Sequence, residues 1–442
     1  MQFKNGIRNA FGKCDQPEET VKRIKQGLER LGLTAGYGPV RASDHLYWGR
    51  VWIDAIKIVC EGKGVTPALC EASAYAELVE RLSAGLFYPV FEEQVRFNIP
   101  ALYHGDARRF LNFEWMRGYV HAHQDELEDR LGIEELLVNE AHLTREDFKA
   151  IKASDMARHW VDGYSVLRQK WIKVPVNFVA YIHGSNGLAA GNTLEEAMIQ
   201  AVCEILERYI QIRVIKPERQ VPTIAPGSIQ NPLVWEMIRF YEGQDIDVLI
   251  KDLSLTDTFP VMGVLYTNRN LPADRPEHKM LIPGASFNLE EGLIRCFTEG
   301  IQGRTSLKKP RSALDRPIFH NAGVEDYYML MRCGVAMKDI SFLEKGEVRP
   351  YTDKKCRDLF EEIDQIKRIC RQLNTDLILL DHTHPVLEFP VVRVVIPGVS
   401  DFLPFLRKDV LVSEKTRPAA ALPGSEFTEI MQSFFHREPS AR

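Results

Sequence analysis

Gly184-Ser-Asn-Gly-Leu-Ala-Ala-Gly-Asn-Thr193 is the stretch that decides how this chain is organised, because two other stretches repeat its layout. In each of the three, a glycine-containing loop leads into a helix N-cap, and polar residues follow eleven and fourteen positions after the cap. The caps are Thr66, Thr193 and Asn288, and the polar pairs are Glu77 with Glu80, Glu204 with Glu207, and Glu299 with Gln302. Positions three residues apart lie about 60° from each other around a helix. Each pair therefore shares one face, and the layout predicts an α/β fold with repeated strand–glycine loop–helix units.

Local signals support helices at all three repeats. Thr66 is an N-cap residue followed by Pro67 at the first helical position, where the missing N–H costs nothing. Thr193-x-x-Glu196 and Asn288-x-x-Glu291 have the spacing of a capping box, in which each side chain satisfies a backbone N–H of the first turn. These signals predict a first helix over 66–86, a second from 193 and a third over 288–304.

Hydrophobic periodicity predicts the remaining elements. Amphipathic helices are predicted at 16–32 and 355–374, and strands within 46–60, 174–182, 246–250, 261–266, 377–380 and 390–396. The charged, irregular stretch near 92–170 is interpreted as an inserted, mostly helical or loop segment. Together these elements predict one domain over 1–420, followed by a C-terminal tail over 421–442.

Composition narrows the class of protein. The chain has 442 residues, a formal charge of −5, 45% hydrophobic and 26% charged residues. These values are ordinary for a globular domain, and no net basic field draws the chain to nucleic acid or anionic lipid. There is no secretory signal pattern and no apolar run of about 18 residues, so we expect a cytoplasmic protein without a membrane span. Eight dispersed cysteines without a C-x-x-C pair make a zinc ribbon unlikely.

The two E-x-x-E-R motifs suit a metal and a polyphosphate. Mg²⁺ prefers one or two carboxylates together with water and phosphate oxygens, and Glu77, Glu80, Glu204 and Glu207 offer two pairs. Arg81 and Arg208 can pair with the first glutamate of their motif or turn a bidentate fork toward phosphate. A single such motif is commonly a solvated helix face with weak ion pairs. Two copies at one distance from a cap favour the cation site, since facing acidic pairs would otherwise hold unpaired negative charge.

Known nucleotide motifs are missing from the sequence. The loop from Gly187 to Thr193 lacks the Gly-Lys-Ser/Thr ending of a P-loop, and no G-x-G-x-x-G stands between a strand and a helix. The H-R-D and D-F-G motifs of protein kinases are also absent. A phosphate site built on these repeats would therefore be of a different kind.

These residues resemble the YcaO family of ATP-dependent enzymes, which activate peptide backbone amides. The signature is Ser185-Asn-Gly-Leu-Ala-Ala-Gly-Asn-Thr-x-x-Glu196-Ala, followed by Glu204-x-x-Glu207-Arg208. Further matching segments are Glu77-x-x-Glu80-Arg81, Thr298-Glu299-x-x-Gln302-Gly-Arg304 and Val394-Val-Ile-Pro-Gly398-x-Ser-Asp401. Within the family, the chain is most similar to the subgroup linked to methylthiolation of a small-subunit ribosomal protein, whose N-terminal Gly-Lys and later hydroxyl residue match Gly12–Lys13 and Thr20.

The resemblance implies a YcaO-type ATP-binding fold with internally repeated units, mixed sheets packed with helices, and a homodimer. It also implies a role for each matched residue. Mg²⁺ would be held by Glu77, Glu80, Glu204 and Glu207, with a contribution from Glu196. The phosphates would contact Arg81 and Arg208. The site would be lined by Asn192, Gln302 and Arg304, and the nucleotide would lie near Lys13 and Thr20. Arg81, Arg208, Gln302 and Arg304 are then the expected catalytic residues.

The implied reaction is transfer of the γ-phosphoryl group of ATP to a backbone amide oxygen of a peptide or protein. An internal Cys, Ser or Thr then gives an azoline, and an external sulfide gives a thioamide. Azoline-forming members are expected to end in Pro-x-Pro-x-Pro, whereas this chain reads Pro418-Ala-Ala-Ala-Leu-Pro423 and continues to Arg442. Thioamide formation with an external sulfur donor is therefore preferred.

Other functions stay open at this point. They are an accessory role in ribosomal-protein methylthiolation, azoline formation, and a non-catalytic ATP-binding scaffold. No activating-enzyme-like domain is fused to the chain, so we expect a separate sulfur-donor or peptide-recognition partner protein.

Overall fold

The computed structural model describes ten stretches of the chain. They are residues 1–9, 12–56, 58–84, 120–136, 144–153, 157–215, 217–255, 257–302, 307–308 and 339–400. Within them the helices are α1 (Pro17–Arg30), α2 (Pro67–Ser83), α3 (Ile133–Leu136), α4 (Arg145–Ala153), α5 (Val176–His183), α6 (Leu194–Ile215), α7 (Pro232–Glu242), α8 (Leu289–Ile301) and α9 (Leu359–Gln372). The strands are β1 (Gly36–Ser43), β2 (Leu46–Ile53), β3 (Ile58–Gly64), β4 (Val120–His121), β5 (His159–Ser165), β6 (Lys170–Pro175), β7 (Leu188–Ala190), β8 (Thr223–Ile224), β9 (Ile246–Asp252), β10 (Val261–Asn268), β11 (Lys279–Ala285), β12 (Val348–Arg349), β13 (Ile378–Asp381) and β14 (Val391–Val395).

The strands form three sheets. The first has the order β1-β2-β3, and the second has the order β11-β10-β9-β8-β12. The third has the order β4-β5-β13-β14-β7, with β6 paired to β5. The strands pair antiparallel except for β12 with β8, so the second sheet is mixed, as predicted.

Each helix that follows a glycine loop packs between two of these sheets. α2 lies against β2 and β3 of the first sheet and against β7 and β14 of the third. α6 lies against β7 and β14 of the third sheet and against β10 and β11 of the second. α8 lies against β10 and β11 of the second sheet and against β2 and β3 of the first. The three helices and three sheets therefore alternate, and this arrangement brings the helices toward one region.

Close backbone approach explains the glycines of the three repeats. A Cβ on Gly62 would lie 2.2 Å from the backbone nitrogen of Ala74 in α2, and one on Gly191 would lie 2.4 Å from that of Ala197 in α6. A Cβ on Gly284 would lie 2.1 Å from the carbonyl oxygen of Gly292 in α8. Because the blocking atoms belong to the backbone, no change of side-chain rotamer could relieve these clashes. The glycines let each strand or loop touch its own helix.

Two local predictions are wrong. Val174–Ile182 was predicted as a strand, but β6 ends at Pro175 and helix α5 spans Val176–His183. A short apolar run has no clear periodicity, so a buried helix cannot be told from a buried strand by pattern alone. The Asn288 side chain does not cap α8, because its amide donates to the Glu291 carboxylate at 3.0 Å instead.

The two threonine caps are present, but the capping box predicted at Thr193 is only half formed, because the Glu196 carboxylate accepts from Cys14 and Asn192. The hydroxyl of Thr66 accepts from the backbone N–H of Leu69 at 3.2 Å, and that of Thr193 accepts from the N–H of Glu196 at 3.1 Å. The predicted strands near 246–250, 261–266, 377–380 and 390–396 and helices near 16–32 and 355–374 are also present, with shifted ends. Predicted strand 46–60 is the β2–β3 hairpin.

The predicted inserted segment lies partly outside the described residues, and the predicted tail lies wholly outside them. β5 falls within the range 92–170, yet it pairs with β13 of the third sheet. The domain division itself stays a prediction. Among the residues with described structure, no helix has the length and apolar character needed to cross a membrane.

Candidate functional site

The first acidic pair lies on the inner face of α2. Arg81 stands 3.4 Å from the Glu77 carboxylate and 3.1 Å from the Glu80 carboxylate, so it pairs with both. Burial raises the pKa of Glu80 to about 8, and the carboxylates of Glu204 and Glu77 add to the rise while Arg81 opposes it. Glu204 belongs to α6, so the charge of the second E-x-x-E-R motif influences the first.

The second acidic pair lies on α6 and reaches toward β11 and α8. Arg208 stands 3.0 Å from Glu204, in the i, i+4 pairing predicted from the sequence. Glu207 accepts the backbone N–H of Ala285 at 2.8 Å and lies 3.5 Å from the guanidinium of Arg295. Glu207 is therefore held by the end of the strand that precedes α8 and by a cation from α8 itself.

The third repeat contributes through α8, which is joined to Lys63 of the first repeat. The Lys63 ammonium forms an ion pair with the carboxylate of Glu299 on α8. Gln302 ends the helix as its C-cap, and its backbone N–H donates to the carbonyl of Glu299 at 3.2 Å. Arg304 lies outside the described residues, so its predicted place in the site is not tested.

The pKa of Lys63 depends on charged groups from all three repeats. Burial lowers its pKa to about 8, Arg295 acts in the same direction, and the carboxylates of Glu207, Glu77 and Glu204 oppose the shift. One ammonium thus senses charges from α2, α6 and α8 at once. Ionic groups of the three repeats therefore lie near one another, and their arrangement as one nucleotide cavity stays a prediction.

Cationic side chains lie among the carboxylates of this cluster. In the part of the chain that the structure describes, its carboxyl groups are Glu77, Glu80, Glu204, Glu207 and Glu299, and its cations are Lys63, Arg81, Arg208, Arg295 and Arg393. The acidic pairs are therefore not left without cationic partners, contrary to the expectation of unpaired negative charge. The sequence analysis counted the arginines of the repeats but not the cations that β3, α8 and β14 bring from elsewhere in the chain.

Arg393 is a functional candidate that the sequence analysis missed. It interrupts the apolar strand Val391–Val395, is only 2% exposed, and donates from Nη1 to the carbonyl of Gly184 at 3.0 Å. Burial lowers its pKa to about 10, and the nearby Glu80 and Glu204 carboxylates oppose that change. It therefore connects the glycine loop before α6 to the acidic residues of α2 and α6.

Two buried histidines flank Arg393. His183 ends α5 and His382 follows β13, and burial together with the Arg393 charge lowers the pKa of each to about 3. Both imidazoles are therefore neutral at physiological pH. The neutral imidazoles add no positive charge beside Arg393, so its guanidinium interacts mainly with the nearby carboxylates.

A second polar cluster surrounds the N-terminal end of α6. The Thr20 hydroxyl donates to the Asn192 side-chain oxygen at 2.7 Å, and the Asn192 amide lies 3.3 Å from both oxygens of Glu196. The Glu196 carboxylate also accepts the backbone N–H of Cys14 at 2.9 Å and lies 3.9 Å from the Lys13 ammonium. The four residues predicted to lie near the nucleotide, Lys13, Thr20, Asn192 and Glu196, are therefore neighbours.

Electrostatics at Glu196 and Lys13 link the two clusters. Burial raises the pKa of Glu196, but Lys13 and the Cys14 N–H outweigh it and leave that pKa below its usual value. Burial lowers the pKa of Lys13, and Arg295 acts in the same direction. Arg295 lies 3.5 Å from Glu207 and donates from Nη1 to the side-chain oxygen of Gln200 at 3.0 Å. One guanidinium therefore lies close to residues of both clusters.

The carboxylates fit Mg²⁺ that arrives with a nucleotide. Within the ranges given above, no three His, Cys, Asp or Glu side chains group closely enough to hold a metal ion by themselves. Mg²⁺ ordinarily takes only one or two carboxylates and fills its octahedron with water and phosphate oxygens. Oxygen donors on facing helices, each already beside an arginine that can turn to phosphate, match that requirement.

The structure thus brings together the residues predicted from the first two repeats and from the N-terminal segment. It adds Lys63, Arg295 and Arg393, which sequence reasoning missed. Weak signals existed for all three: Lys63 stands between two glycines of the first loop, Arg295 precedes Glu299 by one helical turn, and Arg393 is a charge inside an apolar strand.

Comparison with known proteins shows what the chain resembles. In the curated relatives, the ribosomal protein S12 methylthiotransferase accessory factor YcaO of Escherichia coli K12 is 25% identical over 433 residues, covering 94% of this chain and 71% of that protein. An uncharacterised protein in the tfuA 3′ region of Rhizobium leguminosarum bv. trifolii is 25% identical over 262 residues, covering 54% of this chain and 60% of that protein.

Solved structures show the same fold. The YcaO protein of Methanopyrus kandleri bound with AMPPCP and Mg²⁺ has a TM-score of 0.59 at 18% identity, covering 94% of this chain and 100% of that chain. A heterocyclase in complex with substrate and cofactor has a TM-score of 0.62 at 19% identity, covering 90% of this chain but only 54% of the heterocyclase. The family model described as YcaO cyclodehydratase, ATP- and Mg²⁺-binding, matches residues 61–400. Because that match covers well over half of the chain, the protein belongs to the YcaO family, and ATP and Mg²⁺ are its cofactors.

Proposed function

We propose that this protein uses Mg-ATP to phosphorylate the oxygen of a backbone amide in a peptide or protein, and that an external sulfur donor converts the activated amide to a thioamide. The observation that supports the proposal is the convergence of ionic groups from α2, α6 and α8, which Lys63 senses together. The family match supplies ATP and Mg²⁺. The choice of a thioamide over an azoline is the expectation of the sequence analysis, and the products of the turnover experiment decide between the two.

In this proposal the nucleotide lies along one face of α6. Glu196, Gln200, Glu204 and Glu207 follow one another along that face. At about 1.5 Å per residue they span about 16 Å. Lys13, Thr20 and Asn192 contact the nucleotide near the N-terminal end of the helix, and the phosphates lie near Glu204 and Glu207.

Glu77, Glu80, Glu204 and Glu207 hold Mg²⁺, which when bound neutralises charge on the transferring phosphoryl group. Arg81 and Arg208 exchange their carboxylate partners for phosphate oxygens, a change that a guanidinium makes without losing its charge. Gln302, the C-cap residue of α8, and Arg304 complete the proposed catalytic set.

The chemistry needs positioning more than acid–base work. Hydrosulfide attacks the amide carbon and gives a tetrahedral oxyanion. That oxygen attacks the γ-phosphorus of ATP and ADP leaves. The C–O bond then breaks, phosphate departs with both electrons, the sulfur releases its proton to phosphate, and a C=S bond forms. Amide, hydrosulfide and ATP are consumed, and thioamide, ADP and hydrogen phosphate are produced without a net proton. Arg81 and Arg208 stabilise the charge that develops on the phosphoryl oxygens.

Turnover with a candidate peptide and sulfide tests this proposal. The expected result is release of ADP and phosphate that depends on both peptide and sulfide, with a peptide mass that changes by exchange of one oxygen for sulfur. Loss of one water from a peptide containing Cys, Ser or Thr, without sulfide, would instead show azoline formation. Tight Mg-ATP binding without turnover under any partner would contradict the enzyme and support a scaffold.

An accessory role in ribosomal-protein methylthiolation is the second candidate, because the E. coli relative bears that name and matches 94% of this chain. Under this function, ATP turnover depends on a ribosomal protein and its methylthiotransferase rather than on sulfide. Both candidates include a homodimer, a cytoplasmic location and a separate partner protein. Size-exclusion chromatography with light scattering tests the dimer.

A further inference from the structure

The N-terminal segment before Lys13 is tied to α9, a helix that contributes no residue to either polar cluster. Arg8 donates from Nε and Nη2 to the two carboxylate oxygens of Glu362 at 2.7 and 2.6 Å. The side chain of Glu362 is only 6% exposed, so the pair is shielded from solvent. A bidentate, charge-assisted pair of this kind fixes the direction of the guanidinium as well as its distance.

Arg8 also fixes the residue immediately before Lys13. Its Nη1 donates to the carbonyl of Gly12 at 2.7 Å, so one side chain holds both α9 and Gly12. Gly12 has a φ of +70°, and a Cβ there would lie 2.5 Å from the Glu291 carboxylate of α8. The backbone of Gly12 is therefore confined between Arg8 and Glu291.

Asn9 closes the same turn. Its backbone N–H donates to the Lys13 carbonyl at 2.7 Å, and its side-chain oxygen accepts the Lys13 N–H at 3.1 Å. The next N–H, that of Cys14, donates to Glu196 at 2.9 Å. Lys13 is thus held by the turn on one side and by α6 on the other, and its ammonium lies 3.9 Å from Glu196.

We propose that the Arg8–Glu362 ion pair is a positioning device, which holds Gly12 and Lys13 so that the Lys13 ammonium and the Glu196 carboxylate face the nucleotide. Neither Arg8 nor Glu362 contacts the nucleotide. α9 therefore contributes to nucleotide affinity through Lys13, and the inference rests on the nucleotide site proposed above.

A double-mutant cycle with Arg8→Gln and Lys13→Met tests the inference. The measurement is the Kd of Mg-AMPPCP by isothermal titration calorimetry on the full chain. We expect Lys13→Met and Arg8→Gln each to weaken binding by about tenfold, which corresponds to about 1.4 kcal/mol. Because Arg8 acts through Lys13, Arg8→Gln should have no further effect in the Lys13→Met background. Multiplicative effects of the two substitutions would overturn the positioning role.

Glu362→Gln provides a second variant, because it removes the same ion pair from the other partner and keeps the shape of the side chain. It should reproduce the affinity loss of Arg8→Gln, with the same dependence on Lys13. Arg269→Gln is the matched control, since it breaks an exposed bidentate pair with Asp247 on β9 and should leave the Kd unchanged.

The outcomes separate the two proposals. An unchanged Kd in Lys13→Met would contradict the proposed nucleotide site itself. Weakened binding in Lys13→Met with wild-type binding in both Arg8→Gln and Glu362→Gln would contradict only the positioning role.

Discussion

Replacing Gly284 by alanine tests whether close contact between β11 and α8 builds the site. The new Cβ would lie 2.1 Å from the carbonyl oxygen of Gly292, 2.9 Å from the sulfur of Cys296 and 3.0 Å from the Gly292 carbonyl carbon. Ordinary contact begins near 3.4 Å, so the strand and helix must separate by about 1.3 Å. Two of the three blocking atoms are backbone, which leaves little room for local relief.

The separation reaches the acidic cluster through Ala285, the next residue along β11. Its N–H donates to Glu207 of α6 at 2.8 Å, and a shift of this strand end by about 1.3 Å relative to α6 would lengthen or break the bond. Overpacking of a filled core costs about 1–3 kcal/mol, and a hydrogen bond to a charged group contributes about 1.5–3 kcal/mol. We expect the free energy of unfolding to fall by about 3 kcal/mol and Mg-ATP affinity to fall at least tenfold.

The assay combines denaturant unfolding with calorimetric titration of Mg-AMPPCP. Gly227→Ala is the matched control, because no atom lies within 4 Å of its Cβ position, and it should change neither quantity measurably. Wild-type stability and affinity in Gly284→Ala would refute the close contact and, with it, the explanation given for the glycines of all three repeats.

Three further predictions concern Glu204, Arg393 and Lys251. Glu204→Gln should abolish measurable Mg-ATP binding in calorimetry with a melting temperature within error of wild type, because this carboxylate faces the cavity rather than the core; normal binding would contradict its metal role. Arg393→Met should lower the free energy of unfolding by about 2 kcal/mol, since the Gly184 carbonyl loses a charged donor. It should also weaken Mg-ATP binding in calorimetry, because the pKa of Glu80 rises further. Arg393→Lys should retain most of the affinity, and equal losses in the two variants would contradict a role for the positive charge. The buried Lys251 has its pKa lowered to about 8 by burial. The pKa of Lys251 in the folded protein lies below the unfolded value of 10.5, so the folded state loses the proton first as pH rises. Between pH 8 and 10.5 the free energy of unfolding of the wild type should therefore rise by on the order of 2 kcal/mol relative to that of Lys251→Met. A difference that stays constant with pH would contradict this.

Local signals predicted the three site helices well. The starts of α2 and α6 were predicted from Thr66–Pro67 and from Thr193. The positions eleven and fourteen residues after each cap then predicted which helix face carries the glutamates. These features depend on residues close in sequence, so a single chain is enough to find them. The same reasoning failed at 174–182, where the choice between strand and helix depends on what the rest of the fold packs against the segment.

The composition of the site was only partly predictable, because it depends on contacts across the fold. Lys63 pairs with Glu299, and Arg393 reaches Gly184, over long separations in sequence. No periodicity connects such residues. The acidic residues and their adjacent arginines were therefore predictable from the sequence, whereas the cations that other strands and helices place beside them were not.

The central claim is that α2 and α6 together hold the metal of a nucleotide complex. A crystal structure of the protein with Mn²⁺ and AMPPCP, with the metal located by its anomalous signal, tests it most directly. The account predicts Mn²⁺ between carboxylates of Glu77 or Glu80 on one helix and Glu204 or Glu207 on the other, with phosphate oxygens completing its coordination. Metal and phosphates bound elsewhere, with these four side chains still paired to Arg81, Arg208 and Arg295, would contradict it.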